Sequence, residues 1–301
     1  MLTGVLLLPL AGGVQAAEYF KPFMLASRGA GDFVTKVQET KAALSGAGFE
    51  ILGEYSPYSH TFVDNTDVIV VTNAELKNAA TRTRYGGFAA PWRVAVTQTT
   101  GGEIQIAYAN PPYIASAYRL DTDLAGVSKA LKAALGAMEP FGSNKGLTAR
   151  KLGRYHYTFG MEYFDDVYQL AKYDSHRQAV AALEKNLAAG VAGVTKVYRL
   201  DLSNDVTVFG VARKAPDESE LDMDEAHIMG VVDFDELKGT AYLPYEIMVD
   251  GTDVVALNMR FRMAVHYPDL KMMGKNSFMT LMSSPGAIQK ALTAAAGGTD
   301  Q

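Results

Sequence analysis

The chain has 301 residues, 48% of them hydrophobic and 20% charged, with a net charge of −5. That is ordinary globular composition and enough length for two domains, and the acidic balance argues against a nucleic-acid binder, which would carry a basic face. Cysteine is absent, so disulfides, thiolate nucleophiles, Cys-ligated zinc or iron–sulfur centres and an acylated lipoprotein anchor are all excluded.

The opening, MLTGVLLLPLAGGVQAAEYF, carries an apolar run from Leu2 to Leu10 and then small residues. This is the pattern of a secretory leader, with cleavage expected after Ala16 or Ala17, so that residues 1–17 form the signal peptide. No Lys or Arg precedes the run, which leaves a buried helix as the other reading. No stretch reaches the roughly 18 apolar residues of a membrane span. The expectation is a soluble periplasmic or secreted protein.

Phe20 to Arg28 can form a first strand, and Phe33 to Leu44 an amphipathic helix closed by Gly46 and Gly48. Phe49 to Tyr55 alternates as a strand does, and the β-branched run Thr66 to Thr72 (TDVIVVT) predicts a buried one. A polar connection leads to Trp92–Gln98 and Glu103–Ala109, which flank TTGG as a hairpin. The proline corner Asn110-Pro111-Pro112-Tyr113 follows, then a closing helix from Leu124 to Leu135.

The second half runs in the same order. Tyr163–Ala171 is expected as a strand, Arg177–Leu187 as a helix, Val194–Leu200 and Asp205–Gly210 as strands. Glu246–Val249 and Val254–Phe261 predict a hairpin around Asp250-Gly251, and Gly286–Ala296 the closing helix. Three landmarks pair between the halves: DVIVV at Asp67 with DVTVF at Asp205, APWRVAV at Ala90 with LPYEIMV at Leu243, and SKALKAA at Ser128 with QKALTAA at Gln289. Their separation grows from 138 to 153 to 161 residues. Duplication followed by loop insertion produces such drift, with one insertion in the acidic stretch 215–239. The expected organisation is a first repeat over 18–142, a linker over 143–156 and a second repeat over 157–301.

TKAALSGAGFEILGEY (Thr40–Tyr55), APWRVAV (Ala90–Val96) and IQIAYANPPYIASAYRL (Ile104–Leu120) resemble the bacterial domain of unknown function family 302. The second half matches more weakly, since Val191 and Gly193 replace the Gly-Phe step. The resemblance implies two tandem two-layer α+β domains of β-α-β(4)-α order, similar to the TATA-binding-protein-like topology, related by a pseudo-two-fold axis. It implies no chemistry. An internal pseudo-dimer in a monomer, or a homodimer, would follow from such pairing.

Three stretches could carry function. The proline corner at 110–113 aligns with His266-Tyr267-Pro268-Asp269, 156 residues on. Proline stops a strand with no ligand needed; the functional reading puts Asn110, Tyr113, His266 and Tyr267 in a ligand cleft between the repeats. Met259, Met263, Met272, Met273, Met279 and Met282 crowd around His266. His266, Met272 and Met273 could hold copper, or His266 a non-covalent haem, whereas Met259 and Met263 on a strand from Asn258 to Val265 would be core packing. DESELDMDEAH (Asp217–His227) offers Asp222, Asp224, Glu225 and His227 to a cation but lacks the EF-hand glycine, and reads as a solvated loop. No hydrolase, zincin, P-loop or dinucleotide motif occurs. The expectation is a non-catalytic binding protein for a small molecule or a periplasmic partner, with a copper or haem protein and an unrecognised enzyme as alternatives.

Overall fold

The computed structural model describes residues 17–299, so the predicted leader lies outside the described residues up to position 16. The first half contains β1 (Phe23–Gly29), α1 (Phe33–Gly46), β2 (Glu50–Tyr55), β3 (Asn65–Thr72), α2 (Ala74–Ala80), β4 (Trp92–Gln98), β5 (Ile104–Ala109), α3 (Pro111–Ala117), α4 (Ala125–Leu135) and β6 (Glu139–Phe141). After α5 (Ala149–Leu152) come β7 (Tyr168–Lys172), α6 (His176–Ala188), β8 (Val194–Asp201), β9 (Val206–Arg213), α7 (Glu225–Val232), β10 (Tyr245–Asp250), β11 (Asp253–Ala256), α8 (Met259–His266) and α9 (Ser284–Ala295). Within the stretch 143–156, α5 packs on α3 and buries Leu152.

The strands make two antiparallel sheets, the α+β arrangement expected. Their orders are β2-β3-β4-β5-β1-β6 and β8-β9-β10-β11-β7. With β6 set aside, corresponding strands take corresponding places. Local sequence explains the helices. Asp32 caps α1 by accepting the Thr35 N–H at 2.8 Å, and Val37, Thr40 and Leu44 give it one buried face. Ser175 caps α6, whose buried face is Ala179, Val180, Leu183 and Leu187.

In β3, Val68, Ile69, Val70 and Val71 are all buried, so both faces of the first sheet are covered. One face carries α1 and α4; the other turns to the second sheet, which carries α6 and α9 on its far side. The result is helices, sheet, sheet, helices, with a polar seam between the sheets.

Irregularities recur at matching places. Ala26 of β1 and Leu170 of β7 are bulged out of register against β5 and β11. Leu52 of β2 and Val197 of β8 are bulged against β3 and β9. The chain leaving each closing helix then crosses the bulged residue of β1 or β7. A Cβ on Gly136 would lie 2.7 Å from the Ala26 carbonyl oxygen, and one on Gly298 2.0 Å from that of Leu170, so only glycine allows either approach.

Two expected strands are corrected. Tyr163–Ala171 shortens to β7, and the strand expected over Val254–Phe261 stops at Ala256. Asn258 then accepts the Arg260 N–H at 3.0 Å and opens α8, as Asn110 opens α3 after β5. MRFRMAVH alternates well enough to suggest a strand, but Met259 and Met263, and Arg262 and His266, are four apart on a helix. The helix also changes the place of the second corner: Asn258 opens α8 as Asn110 opens α3, and His266 ends α8 instead of opening it. Pro111 and Pro112 occupy the first helical turn of α3, where a missing N–H costs nothing.

Candidate functional site

Short 3-10 turns at Gly86–Ala89 and Thr240–Tyr242 precede β4 and β10. Each packs across the seam on the other sheet, the first on β9 and β10, the second on β3, β4 and β5. This reciprocal clasp sets Arg93 of β4 against Glu246 of β10, with Nη1 donating to Oε1 at 2.8 Å and both side chains buried. Arg93 Nε donates to the Ala241 carbonyl at 3.1 Å. Arg262 of α8 reaches the other Glu246 oxygen at 3.2 Å. The Tyr242 and Tyr245 rings cover its guanidinium with centroids 4.2 and 4.5 Å away, which accounts for Nε and Nη1 having no hydrogen-bond partner.

His266 stands at the end of this cluster. Arg93 Nη2 lies 3.3 Å from its Nε2, and its Nδ1 lies 2.8 Å from the Arg262 carbonyl. A guanidinium only donates, so Nε2 accepts and Nδ1 carries the proton. Burial, then the Arg93 and Arg262 charges, hold the imidazole well below its ordinary pKa. Both ring nitrogens are thus engaged, and neither is presented to copper or haem iron.

The other expected cleft residues are tied into the same seam. Asn110 Nδ2 donates to the Lys21 carbonyl at 2.8 Å. The Tyr113 hydroxyl donates to the Val265 carbonyl at 2.7 Å, joining α3 to α8. Asn110, Tyr113 and His266 are buried and line none of the three cavities described among these residues. Tyr267 does reach one.

That cavity, of about 440 Å³, lies where Lys21, Phe23 and the β6 strand face the segment 232–239 and Tyr267. Its aromatic wall is Phe23, 5.4 Å from Phe141 and 6.0 Å from Tyr267 between ring centroids, with Phe234 exposed beside it. Asp233 forms part of the lining yet is only 2% exposed. Its Oδ1 accepts the Gly239 N–H at 2.7 Å, and its Oδ2 has no partner. Burial pushes this carboxyl up to about 7, against the Gly239 N–H and the Lys238 charge, which favour the ionised form. Glu139, Asp235, Glu236 and Asp269 share the cavity with Lys21 and Lys271, so its field is negative with Asp233 neutral and more so with Asp233 ionised. Asp233 and Phe234 sit in the acidic stretch, past its more acidic beginning at Asp217–His227. The run VVDFDE, mixing apolar residues with carboxylates, was the available signal.

A second, apolar groove of about 230 Å³ gathers Met161, Met259, Met263, Met272, Met279 and Met282. His266 and Met273 are not among its lining residues, so the structure separates two of the three expected metal ligands from the third, Met272. Met273 projects to solvent, 73% exposed.

In the acidic stretch, Asp224 is spent as the cap of α7, accepting the His227 and Ala215 N–H groups at 3.0 Å each. Glu225 is buried, 3.2 Å from the Tyr55 hydroxyl and 3.8 Å from Arg213. Among the described residues no group of three or more His, Asp or Glu is placed to hold a metal. A hydroxyl, imidazole and carboxylate do meet at Thr207, which donates to Asp201 at 2.7 Å and lies 3.2 Å from His176 Nε2. The carboxylate there holds the hydroxyl, not the imidazole, and Thr207 is fully buried; this is a brace between β8, β9 and α6 and lacks the geometry of an activated nucleophile.

The structure therefore defines an α+β protein of two antiparallel sheets with an aromatic, acidic cleft at its seam. No family model and no curated protein matches the chain. Among solved structures, a neighbour is the "uncharacterized conserved protein DUF302 from Bacillus stearothermophilus", 17% identical, with a TM-score of 0.32 over 36% of this chain and 92% of that one. A structural neighbour is thus a family-302 protein. No helix among the described residues is long and apolar enough to cross a membrane.

Proposed function

We propose that the protein is an exported, non-catalytic binding protein, made of two copies of one family-302-like unit, that takes a small organic cation in the cleft between them. The duplication is supported by the corresponding strand orders, the matched bulges and an asparagine at the position that opens the helix after each hairpin, Asn110 and Asn258. The observation that carries the binding reading is the cleft itself. Its walls come from both halves, with aromatic faces beside an excess of carboxylates. Aromatic rings attract cations through their quadrupole, and buried carboxylates strengthen the attraction at low local dielectric. Above about pH 7, where Asp233 is ionised, its unpartnered Oδ2 supplies a hydrogen-bond acceptor at the wall.

Benzyltrimethylammonium and benzoate, which share a ring and differ in charge, test this reading by thermal shift and by NMR. The cation raises the melting temperature and shifts Phe141 and Tyr267 resonances, while benzoate does neither. Phe234→Ala, at an exposed position, weakens the cation about 2- to 30-fold, the range of one cation–π contact. Binding of benzoate in preference to the cation, or of neither, overturns the reading.

A further inference from the structure

We infer that the methionine groove is a site for a soft monovalent metal ion, Cu(I), held by thioether sulfur alone. The groove is built so that methionines arrive in pairs from facing elements. Met259 and Met263 are four apart on α8, a spacing that puts two side chains on one helix face. Met279 and Met282 are three apart on a 3-10 turn, linked by a hydrogen bond from the Met282 N–H to the Met279 carbonyl, a spacing at which side chains eclipse. The Met279 N–H donates to the Met272 carbonyl at 3.0 Å, which fixes Met272 beside the second pair. Met161 closes the set.

Packing alone does not account for this composition. Met259 and Met263 are buried, but Met272, Met279 and Met282 are 42%, 49% and 68% exposed, where burial contributes little and a thioether has no advantage over leucine. Six of the ten lining residues are methionine, and none is histidine, aspartate or glutamate. Such a donor set favours soft Cu(I) and discriminates against Zn(II), which takes imidazole, carboxylate and thiolate ligands. The one charged lining residue, Arg260, is held by Glu162 at 3.0 Å. The second Glu162 oxygen is buried without a partner. The rim is therefore balanced, and does not repel a cation. Binding involves no change of oxidation state: a Cu(I) ion exchanges its solution ligands for sulfur lone pairs.

The test is anaerobic titration of the whole protein with Cu(I) against a chromophoric Cu(I) chelator, with Ag(I) as a redox-inert probe. The expected result is one equivalent bound, with no uptake of Zn(II). Met279→Leu weakens binding at least 10-fold, and the triple variant Met272→Leu/Met279→Leu/Met282→Leu abolishes it. These exposed, volume-conserving changes leave the fold intact, as unfolding curves would show. Met273→Leu, outside the groove, changes nothing. In spectra of methyl-labelled protein, Ag(I) moves the Met259, Met263, Met272, Met279 and Met282 resonances and leaves Met248 in place. Failure of the wild-type protein to compete, or retention of binding by the triple leucine variant, overturns the assignment; the latter result would mark the groove as an apolar contact surface, where leucine serves as well.

Discussion

Arg93 and Glu246 occupy the same position in two matching strands and bind each other across the seam. Each is the second residue after a proline, in APWRV and LPYEI, and the two lie 153 residues apart in sequence and 2.8 Å apart in space. A symmetric pair of identical units would bring like charge to like at this point. Two unequal copies in one chain can place a cation in one strand and its counter-ion in the other. On the proposed duplication, this is what covalent linkage made available.

The Glu246 carboxylate is buried between the Arg93 and Arg262 guanidiniums, so removing it is costly. Glu246→Ala leaves Arg93 and Arg262 facing each other without a counter-charge, and is expected to destabilise by about 3–5 kcal/mol. Asp253→Asn, which breaks the exposed Lys172–Asp253 pair at 2.6 Å, should cost under about 1 kcal/mol. Urea unfolding followed by Trp92 fluorescence measures both, since Trp92 is the single tryptophan and is buried. Equal losses in the two variants would contradict the assignment of the buried pair.

Tyr113→Phe removes the hydroxyl that joins α3 to α8 and leaves the Val265 carbonyl without that donor. A loss of about 1–2 kcal/mol is expected, the desolvation cost of one buried acceptor. Tyr157→Phe, whose hydroxyl donates to Leu270 at 3.0 Å from a part-buried position, should lose less, because water can replace the donor. The comparison is read from the same unfolding curves.

Asp233 makes stability depend on pH in the direction opposite to an ion-paired carboxylate. Its folded pKa of about 7 stands above the ordinary 3.8, so between those values the folded protein holds a proton that the unfolded chain releases. Stability from this group is full below about pH 4, falls as pH rises, and levels off above about pH 7. Asp233→Asn removes the effect. The stability of the variant relative to wild type should therefore rise across that window, by at most about 4 kcal/mol at roughly 1.4 kcal/mol per unit, and then stay constant. His266, held neutral in both proteins, cancels from the difference. A difference that does not change between pH 4 and 7 would show that Asp233 is ionised throughout.

The asparagines that open α3 and α8 do different things with their side chains. Asn258→Ala removes the acceptor of the Arg260 N–H and should cost about 1 kcal/mol. Asn110→Ala loses a different bond, to the Lys21 carbonyl, and should loosen the entry to β1. Amide exchange would show protection lost at the start of α8 in the first variant and around Phe23 in the second.

The sequence by itself determined the elements that local chemistry dictates. TTGG and Asp250-Gly251 favour tight hairpin turns, DVIVV is too apolar to be anything but buried, and Asp32 and Ser175 start helices through their own side chains. It also held the likeness between APWRV and LPYEI. What it could not hold was α8, because MRFRMAVH satisfies both a two-residue and a four-residue period, and only Asn258 and the packing of Arg262 against Glu246 select the helix. That choice carries His266 into a buried cluster with both nitrogens occupied, and turns Met259 and Met263 toward a groove shared with methionines some twenty residues away. The cleft was equally hidden, since Phe23, Phe141, Asp233 and Tyr267 are distant in the chain and meet only where the sheets close. Hairpins and caps depend on neighbours in sequence; charge pairing, ring nitrogens and donor sets depend on neighbours in space, and those were decided by the way the two sheets clasp.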